Sequence, residues 1–230
     1  MPVRGALASP TLDATPRGAA LRLRLAERGI PLLDVDEAAF ATAADTESPQ
    51  GVLVVAEQPP VGVESVLTGD GPGRLLVLDG VQDPGNAGTM LRTAAAFGAS
   101  AVIALPGTVD LWSAKVVRGA MGAHFRLPVA HATWDEAERA LAAGGAALWG
   151  ADMDGDPLDG VASSIPERLA LAIGNEGAGL SERVRAAADR LVSIPIAAAV
   201  ESLNAGVAAG ILLYALRPAA VTRRSVSRPG

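Results

Sequence analysis

The chain has 230 residues, half of them hydrophobic, which suffices for one large domain or two small ones with a substantial core. It has no cysteine and only two histidines, which excludes disulfides and thiolate metal sites and disfavours a histidine zinc site; we expect no bound metal. It has no apolar run of the ~20 residues that span a bilayer and no signal peptide, so we expect a soluble cytoplasmic protein without a membrane partner.

The formal net charge is −6, which by itself argues mildly against a nucleic-acid partner. Its distribution argues the other way, because arginines crowd both ends of the chain while the acids are spread through the middle. The arginines at the ends are Arg4, Arg17, Arg22, Arg24, Arg28, Arg217, Arg223, Arg224 and Arg228. Basic ends on an acidic body are typical of nucleic-acid binders; solvated tails without a function are the alternative.

The first part of the chain reads as a small α/β unit. Residues 1–20 show no sustained periodicity and are expected to be irregular. The pattern then predicts a short helix over 21–29, a strand over Ile30–Val35, a helix over Glu37–Ala43 and a strand over Val52–Ala56. The segment TGDGPG, residues 68–73, is the clearest linker, and it predicts a domain boundary there.

A strand–loop–helix–strand unit follows the linker. Leu75–Leu78 and Ala101–Leu105 are continuous apolar runs, as in strands buried on both faces of a parallel sheet. Between them we predict a loop over Asp79–Gly88 and a helix over Thr89–Phe97. The loop follows the carboxyl end of a strand, where open α/β sheets bind ligands. Its glycines do not spell GxGxxG, which disfavours a Rossmann-type nucleotide enzyme.

Two polar residues stand out in this unit. Asn86 lies in the predicted loop, and Arg92 lies inside a helix made otherwise mainly of small and apolar residues. An arginine there needs a partner, which is either a carboxylate in a structural salt bridge or a phosphate.

The middle of the chain carries a basic cluster and an acidic segment. The pattern predicts a helix starting at Trp112–Arg118, strands over Phe125–Val129 and Ala146–Trp149, and a helix over Trp134–Ala143. Lys115, Arg118 and Arg126 fall close to the predicted ligand edge, although ordinary surface charge is the alternative for each. The four aspartates Asp152, Asp154, Asp156 and Asp159 lack the glutamate of a calcium loop and are expected to form a solvated loop.

A second buried strand followed by a glycine-rich loop is predicted in LALAIGNEGAGLS, residues 169–181. Leu169–Ile173 is predicted as a buried strand, and the glycines after it let the backbone turn sharply and approach a ligand. Glu176 is a lone carboxylate in that turn. Ser181 is predicted to cap a helix that runs to about Ala188.

The last segment, residues 192–216, begins with a predicted strand, Val192–Ile196, and ends in a helix. Polar residues are confined to the first turn of that helix, where Ser202 or Asn204 is expected to be the cap. Because the rest of the helix is apolar on every side, we predict that it is buried. A capped core helix without chemistry is the alternative.

Three motifs carry a resemblance to the SpoU (TrmH-type) branch of the SPOUT RNA methyltransferases. They are PGNAGTMLRTAAAFGA with Asn86 and Arg92, IGNEGAGLS, and IPIAAAVESLNAGVAAGI, and together they cover residues 75–216 with the family's spacing. Residues 20–67 resemble the later part of a ribosomal-protein-like RNA-binding domain. The resemblance implies three regions: a shortened or diverged RNA-binding domain over 1–67, a catalytic domain over 68–216, and a basic tail over 217–230.

The resemblance also implies a fold and an activity. The fold is a parallel sheet flanked by helices with a C-terminal deep trefoil knot, and the protein is a homodimer through the knot. The reaction is methyl transfer from S-adenosylmethionine to a ribose 2′-hydroxyl of RNA, with ribosomal RNA favoured over transfer RNA. A non-catalytic RNA-binding or ribosome-assembly protein that keeps the fold is the competing hypothesis.

The family's site residues carry over by motif. The catalytic set is Asn86, Arg92, Glu176, Ser202 and Asn204. The cofactor set is Ile173, Gly174, Asn175, Gly177, Ile194, Ile196 and Leu203. The RNA-binding set, Arg22, Arg24, Lys115 and Arg118, comes from the charge pattern and not from a motif. Because arginine is almost never deprotonated in a protein, Arg92 suits electrostatic stabilisation better than proton abstraction.

Overall fold

The computed structural model describes residues 1–44, 46, 48–67, 73–161 and 164–218. The chain divides into two compact units between Pro60 and Val61. The predicted linker at 68–73 lies almost wholly outside the described residues. The division precedes it because Val63 and Val66, on a 3₁₀ segment spanning Val63–Leu67, are buried in the core of the second unit.

The first unit is a three-stranded sheet with helices. Its elements are β1 Val3–Ala8, α1 Pro10–Asp13, α2 Pro16–Glu27, β2 Leu32–Asp34, α3 Glu37–Ala43 and β3 Val52–Ala56. The strand order is β2-β1-β3, with β1 parallel to β2 and antiparallel to β3. The bounds of α3 and β3 are as predicted, whereas the expectation of an irregular chain over 1–20 is wrong. That stretch contains β1 and the start of α2, where Thr15 accepts a hydrogen bond from the Gly18 amide and Pro16 opens the helix.

The second unit contains a parallel sheet of six strands in the order β6-β5-β4-β8-β7-β9. The strands are β4 Gly73–Asp79, β5 Ala101–Ala104, β6 Val129–His131, β7 Ala147–Pro157, β8 Arg168–Gly174 and β9 Arg190–Ser193. The helices are α4 Pro84–Ala96, α5 Ala114–Gly119, α6 Trp134–Ala143, α7 Leu158–Val161, α8 Glu182–Ala187 and α9 Ala205–Ala215. This arrangement confirms the predicted parallel sheet flanked by helices.

Both faces of this sheet are buried. Along β4, Leu76 and Leu78 belong to one hydrophobic cluster, while Leu75 and Val77 belong to another. Because successive strand side chains point to opposite faces, these two clusters lie on the two sides of the sheet. Helices α4 and α9 contribute to the first cluster, and α6 and α8 contribute to the second. The continuous apolar runs in the sequence therefore correspond to doubly covered strands.

Two predicted elements in the middle of the chain are placed differently by the structure. The acidic segment is not a loop: β7 continues to Pro157, and Asp152 and Asp156 form ion pairs with Arg185 and Arg190. These partners lie far along the chain, so the local sequence pattern does not reveal them. The strand expected over Phe125–Val129 begins only at Val129, because a 3₁₀ turn occupies Ala123–Phe125.

Among the described residues, no helix is both long and apolar enough to cross a membrane. The same residues contain no group of three or more histidine, cysteine, aspartate or glutamate side chains that could hold a metal ion.

Candidate active site

The loops after β4 and β8 meet at one edge of the sheet. The two strands are neighbours and run parallel, with Asp79 paired in register with Gly174, so both loops leave the sheet side by side. The buried Asp79 carboxylate accepts a 2.6 Å hydrogen bond from the Ser181 amide, and the Asn175 side chain donates one of 2.9 Å to the Gly80 carbonyl. The two predicted ligand loops are thus joined to each other.

The loop after β8 is held in a tight turn by its own hydrogen bonds. Asn175 and Gly179 exchange two backbone hydrogen bonds of 2.9 Å, and the Asn175 side-chain oxygen accepts from the amides of Gly177 and Ala178. A Cβ on Gly174 would lie 2.2 Å from the carbonyl carbon of Gly179, and Gly179 has a φ of 72°. Glycine is therefore required at both positions.

Asn86 lies in the first turn of α4, not in the loop where it was predicted. The helix begins at Pro84 because the Asp83 side chain accepts a 2.7 Å hydrogen bond from the Asn86 amide and caps the helix end. An aspartate followed by proline is a helix-start signal that the sequence contained. This position fixes the direction of the Asn86 side chain.

A line of side-chain hydrogen bonds joins the three motifs. The Asn86 amide nitrogen donates to Glu176 at 3.0 Å, and its oxygen accepts from the Asn204 amide nitrogen at 2.9 Å. The Asn204 oxygen in turn accepts from the Val207 amide at 3.2 Å, which identifies Asn204 as the cap of α9. We call Glu176, Asn86 and Asn204 the polar relay.

Glu176 is an acceptor in this relay. Its carboxylate also accepts hydrogen bonds of 3.2 Å from the amides of Gln82 and Asp83. Partial burial pushes the pKa of Glu176 upward, but the hydrogen bonds from the Asn86 side chain and the backbone amides outweigh it and lower the pKa below its ordinary value. The side chain is therefore an anion at neutral pH, and it ties the β8 loop to the start of α4.

A cavity of about 560 Å³ lies beside the relay, within the usual size range of small-molecule sites. Its wall is formed by the β8 loop, by the segment from β9 to α9, and by the middle of β7. All seven residues of the predicted cofactor set line it, namely Ile173, Gly174, Asn175, Gly177, Ile194, Ile196 and Leu203. Glu176 and Ser202 of the catalytic set line it as well, whereas Asn86, Arg92 and Asn204 do not.

Part of the cavity wall was not anticipated from the sequence. Residues 151–154 on β7 and Arg185 on α8 line the cavity, and the Asp152–Arg185 ion pair belongs to this wall. The run of aspartates marks this region in the sequence, but it predicts a solvated loop. Its neighbours along the chain do not indicate that it lies next to the glycine turn after β8.

Arg92 lies on the exposed outer side of α4. Successive residues of a helix are about 100° apart around its axis. Arg92 therefore lies between the two sides by which α4 contacts other helices. On one side, Asn86 and Thr93 face the glycines of α9; on the other, Gly88 faces Gly119 of α5. Within the part of the chain that the structure describes, Arg92 has no carboxylate partner. A structural salt bridge among these residues therefore does not account for this arginine.

The predicted RNA-binding residues occupy two different settings. Arg22 of α2 forms ion pairs with Asp13 at 2.9 Å and Asp34 at 2.7 Å, and the hydrogen bonds to these two acids raise its pKa. Arg24 is exposed on the same helix, and Lys115 and Arg118 are exposed on α5. The charge of Arg22 is thus already balanced within the first unit.

Helix α9 is not buried on every side within one chain, contrary to the prediction. Gly206 and Gly210 face α4, where an added Cβ would lie 3.3 Å from the Asn86 side-chain oxygen and 3.4 Å from a Thr93 methyl group, respectively. A neighbouring side of the helix, about a quarter-turn round, is exposed at Val207, Ile211 and Tyr214, by 51%, 37% and 54%. The helix is apolar all round because one face packs on α4 and another is left open.

Comparisons with known proteins agree with this geometry. Residues 73–214 match the model of the SpoU rRNA Methylase family. The chain is 38% identical over 192 residues to the 23S rRNA (guanosine(2553)-2'-O)-methyltransferase RlmP of Bacillus subtilis, with 83% of this chain and 74% of the relative covered. It is 34% identical over 223 residues to the 23S rRNA (adenosine(1067)-2'-O)-methyltransferase of Streptomyces laurentii, with 95% and 79% covered.

A solved structure is similar over nearly the whole chain. The AdoMet-bound rRNA methyltransferase from Sinorhizobium meliloti superposes with a TM-score of 0.79 at 30% identity, and 93% of this chain and 79% of that chain are covered. The family model alone spans more than half of the residues, and it includes all three motifs that build the cavity and the relay. The chain therefore belongs to the SpoU rRNA methylase family.

Proposed function

We propose that the protein transfers a methyl group from S-adenosylmethionine to a ribose 2′-hydroxyl of ribosomal RNA. The observation that carries the proposal is the polar relay, which joins the three family motifs next to a cavity of cofactor size. The two curated relatives described above are named as 23S rRNA 2'-O-methyltransferases, and the S. meliloti neighbour is described as AdoMet-bound. A protein with only a scaffolding role has no need of both the relay and the cavity.

The cavity suits S-adenosylmethionine by its wall. Gly174 and Gly177 line the cavity without side chains, so their backbone groups are accessible to a ligand, and Glu176 between them adds one carboxylate. Ile173, Ile194, Ile196 and Leu203 offer apolar surface to the rest of a nucleoside-sized ligand. These residues would hold the cofactor, which supplies an electrophilic methyl group on a sulfonium centre.

The remaining chemistry falls on residues around the relay. A ribose hydroxyl is a weak nucleophile, and neither histidine of the chain lies in the three motifs to act as a general base. His124 is buried, which lowers its pKa, and it is bonded to the Leu111 carbonyl. We therefore assign the hydroxyl proton to solvent water, and the positive charge of the Arg92 guanidinium would stabilise the developing alkoxide and the adjacent phosphate. Asn86, Glu176, Ser202 and Asn204 hold the site in position.

We also propose that the C-terminal part is threaded as a trefoil knot. Support comes from its path: after β9 at the edge of the sheet, the chain returns to α4, where Asn204 meets Asn86. It then reaches the start of the central strand β4, where the buried Arg74 side chain donates hydrogen bonds to the carbonyls of Leu216 and Glu167. This return from the edge strand to the middle of the sheet is the observation that supports the proposal.

We propose that the active form is a homodimer through α9. Val207, Ile211 and Tyr214 form an exposed apolar face on a helix that carries no charged residue. Such a face is stabilised when a second copy covers it. The dimer would also bring a second surface close to the exposed Arg92.

RNA contacts are proposed for Lys115, Arg118 and Arg24, and more weakly for Arg22, whose charge is balanced by two aspartates. The first unit is proposed as the accessory RNA-binding domain, and its predicted shortening stays a prediction. Residues 219–230, with three of the tail arginines, lie outside the described residues. An RNA substrate also supports the expected cytoplasmic location, which stays a prediction.

The proposal is tested by mapping 2′-O-methyl groups across ribosomal and transfer RNA in the source organism with and without the gene. We expect one ribosomal site to lose its methyl group and to regain it from the wild-type gene but not from an Arg92→Ala gene. Thermal stabilisation of the purified protein by S-adenosylhomocysteine tests the cofactor separately. Unchanged methylation together with no stabilisation would favour the non-catalytic RNA-binding hypothesis.

A further inference from the structure

One short turn presents two large apolar side chains to solvent. Met121 and Phe125 are 72% and 67% exposed, while Ala120, Ala123 and Leu127 around them are at most 5% exposed. Scattered exposed apolar residues are ordinary. Two of them held outward by a buried backbone, in one turn of five residues, are not explained by packing.

The backbone of this turn is unfavourable where it presents Met121. Met121 has a φ of 49°, and among the described residues it is the only one other than glycine with a positive φ. The left-handed region is costly for a residue with a side chain, and such strain collects at functional positions. Gly122 follows with a φ of 86°, so the chain reverses there without further cost.

The turn is firmly anchored underneath. The His124 ring bonds to the Leu111 carbonyl at 2.7 Å and packs on Trp112, with ring centroids 4.7 Å apart. The amides of Ala123 and Phe125 bond back to Ala120 and Gly122 at 3.0 and 3.2 Å. A side chain presented by a rigid turn loses little further entropy when it binds a partner.

The turn lies next to the helix that carries Arg92. Gly119 packs on Gly88 so closely that a Cβ on Gly88 would lie 3.0 Å from the Gly119 Cα. Arg92 follows Gly88 by one helical turn, so it lies on nearly the same side of α4 as this contact. Met121 is two residues from Gly119, which places its Cα within ~8 Å of the Gly119 Cα.

The charge around the turn selects the kind of partner. Lys115, Arg118 and Arg126 are exposed on this part of the surface, and no acidic residue occurs in residues 111–134. A second copy related by two-fold symmetry would bring like charges together here. The apolar face of α9 offers a second copy a better surface. Cations that flank an aromatic side chain fit a nucleic acid with unpaired bases.

We propose that Met121 and Phe125 form a stacking platform for an unpaired base of the substrate RNA next to the methylated ribose. The inference rests on the proposed function. Lys115, Arg118 and Arg126 would hold the phosphates on either side of that base. The platform would thereby select a splayed, single-stranded target over a paired one.

The test measures binding and turnover separately in Phe125→Ala, Phe125→Tyr and Met121→Gly variants of the full chain. The probe is ribosomal RNA from the source organism with the gene deleted. Loss of one stacked base predicts an RNA Kd raised about 5- to 150-fold in Phe125→Ala, with the S-adenosylmethionine Kd unchanged. Phe125→Tyr should restore RNA affinity. Met121→Gly should weaken RNA binding without lowering Tm, because glycine relieves the strained φ.

Ala142→Ser, at an exposed position of α6 outside every proposed binding residue, is the surface control. Ultraviolet crosslinking followed by mass spectrometry should identify Phe125 or Met121 as joined to a base. Unchanged RNA affinity in Phe125→Ala would overturn the inference. A molecular mass of Phe125→Ala that differs from wild type by light scattering would also overturn it, because the turn would then bind a second copy. If the wild-type protein transfers no methyl group but Phe125→Ala still weakens RNA binding, the proposed function is wrong and the stacking platform is retained.

Discussion

The side-chain amides of Asn86 and Asn204 share a hydrogen bond of 2.9 Å although 118 positions separate them in the chain. Through this bond the cap of α9 is fixed to the first turn of α4, and through Glu176 both are fixed to the β8 loop. The positions of the cavity wall and of Arg92 therefore depend on one set of polar contacts. Single substitutions can remove these contacts individually.

Asn204→Asp breaks the relay while keeping the cap. Aspartate caps a helix as well as asparagine, but it cannot donate to the Asn86 oxygen and sets two acceptors against each other. Because this hydrogen bond is exposed to solvent, its loss corresponds to the net worth of an ordinary hydrogen bond, roughly a 2- to 13-fold effect. We expect kcat to fall by that factor with Tm nearly unchanged. Single-turnover methyl transfer and thermal melts check this, and wild-type kcat would show that the Asn86–Asn204 bond is not needed.

Arg92→Ala should abolish methyl transfer and leave cofactor binding largely intact. The side chain is exposed on α4 and does not line the cavity, so its removal does not disturb the cofactor wall. Loss of electrostatic stabilisation predicts a fall in kcat of about 10²- to 10³-fold. Arg92→Lys, which keeps the charge but not the planar fork, should recover part of it. Calorimetry with S-adenosylhomocysteine measures binding, and near-normal turnover in Arg92→Ala would count against the assignment.

Gly174→Ala should destabilise the β8 loop. The added Cβ would lie 2.2 Å from the Gly179 carbonyl carbon, which is backbone and cannot rotate away. Overpacking of this kind costs about 1–3 kcal/mol, which corresponds to a Tm lower by roughly 2–12 °C for a chain of this size. Gly160→Ala is the matched control, because a Cβ there meets nothing within 4 Å. Equal melting temperatures for the two variants would contradict the proposed crowding.

Glu176 should make stability depend on pH in the acid range. Its pKa is lowered in the folded protein from the ordinary value of 4.5. A lowered carboxyl pKa adds stability that is complete above about pH 5.5 and is lost as the pH falls through 4.5 toward the folded value. The difference in urea midpoint between wild type and Glu176→Gln should therefore be larger at pH 7 than at pH 3.5. Glu138→Gln on α6 controls for the loss of one charge, and a pH-independent difference would refute the effect.

Ile211→Glu should separate the proposed dimer. A carboxylate in an apolar interface is desolvated without a partner, whereas on the exposed face of one chain it stays in water. We expect half the molecular mass by light scattering and a large loss of methyl transfer, with the helix content unchanged by circular dichroism. Ala142→Glu, at an exposed position of α6, serves as the surface control. A monomeric wild-type protein with full activity would rule out the dimer as the active form.

The sequence pattern alone predicted the helices and strands that depend on interactions between residues close together in the chain. The bounds of α3, β3 and α6 are those expected from periodicity and capping. The apolar runs of β4, β5 and β8 identified a parallel sheet because buried strands have no polar face. The motifs around Asn86, Glu176 and Asn204 were also recognised from the sequence, since glycine turns and helix caps have their signals within a few residues.

Only the tertiary structure decided how those pieces meet. The extension of β7 through the acidic run depends on Arg185 and Arg190 from distant segments. The open face of α9 depends on which side packs on α4, which an all-apolar sequence does not specify. The pairing of Asn86 with Asn204 joins two side chains whose neighbours along the chain do not predict each other. Local signals specify local backbone, whereas the site is made by contacts between residues far apart in sequence.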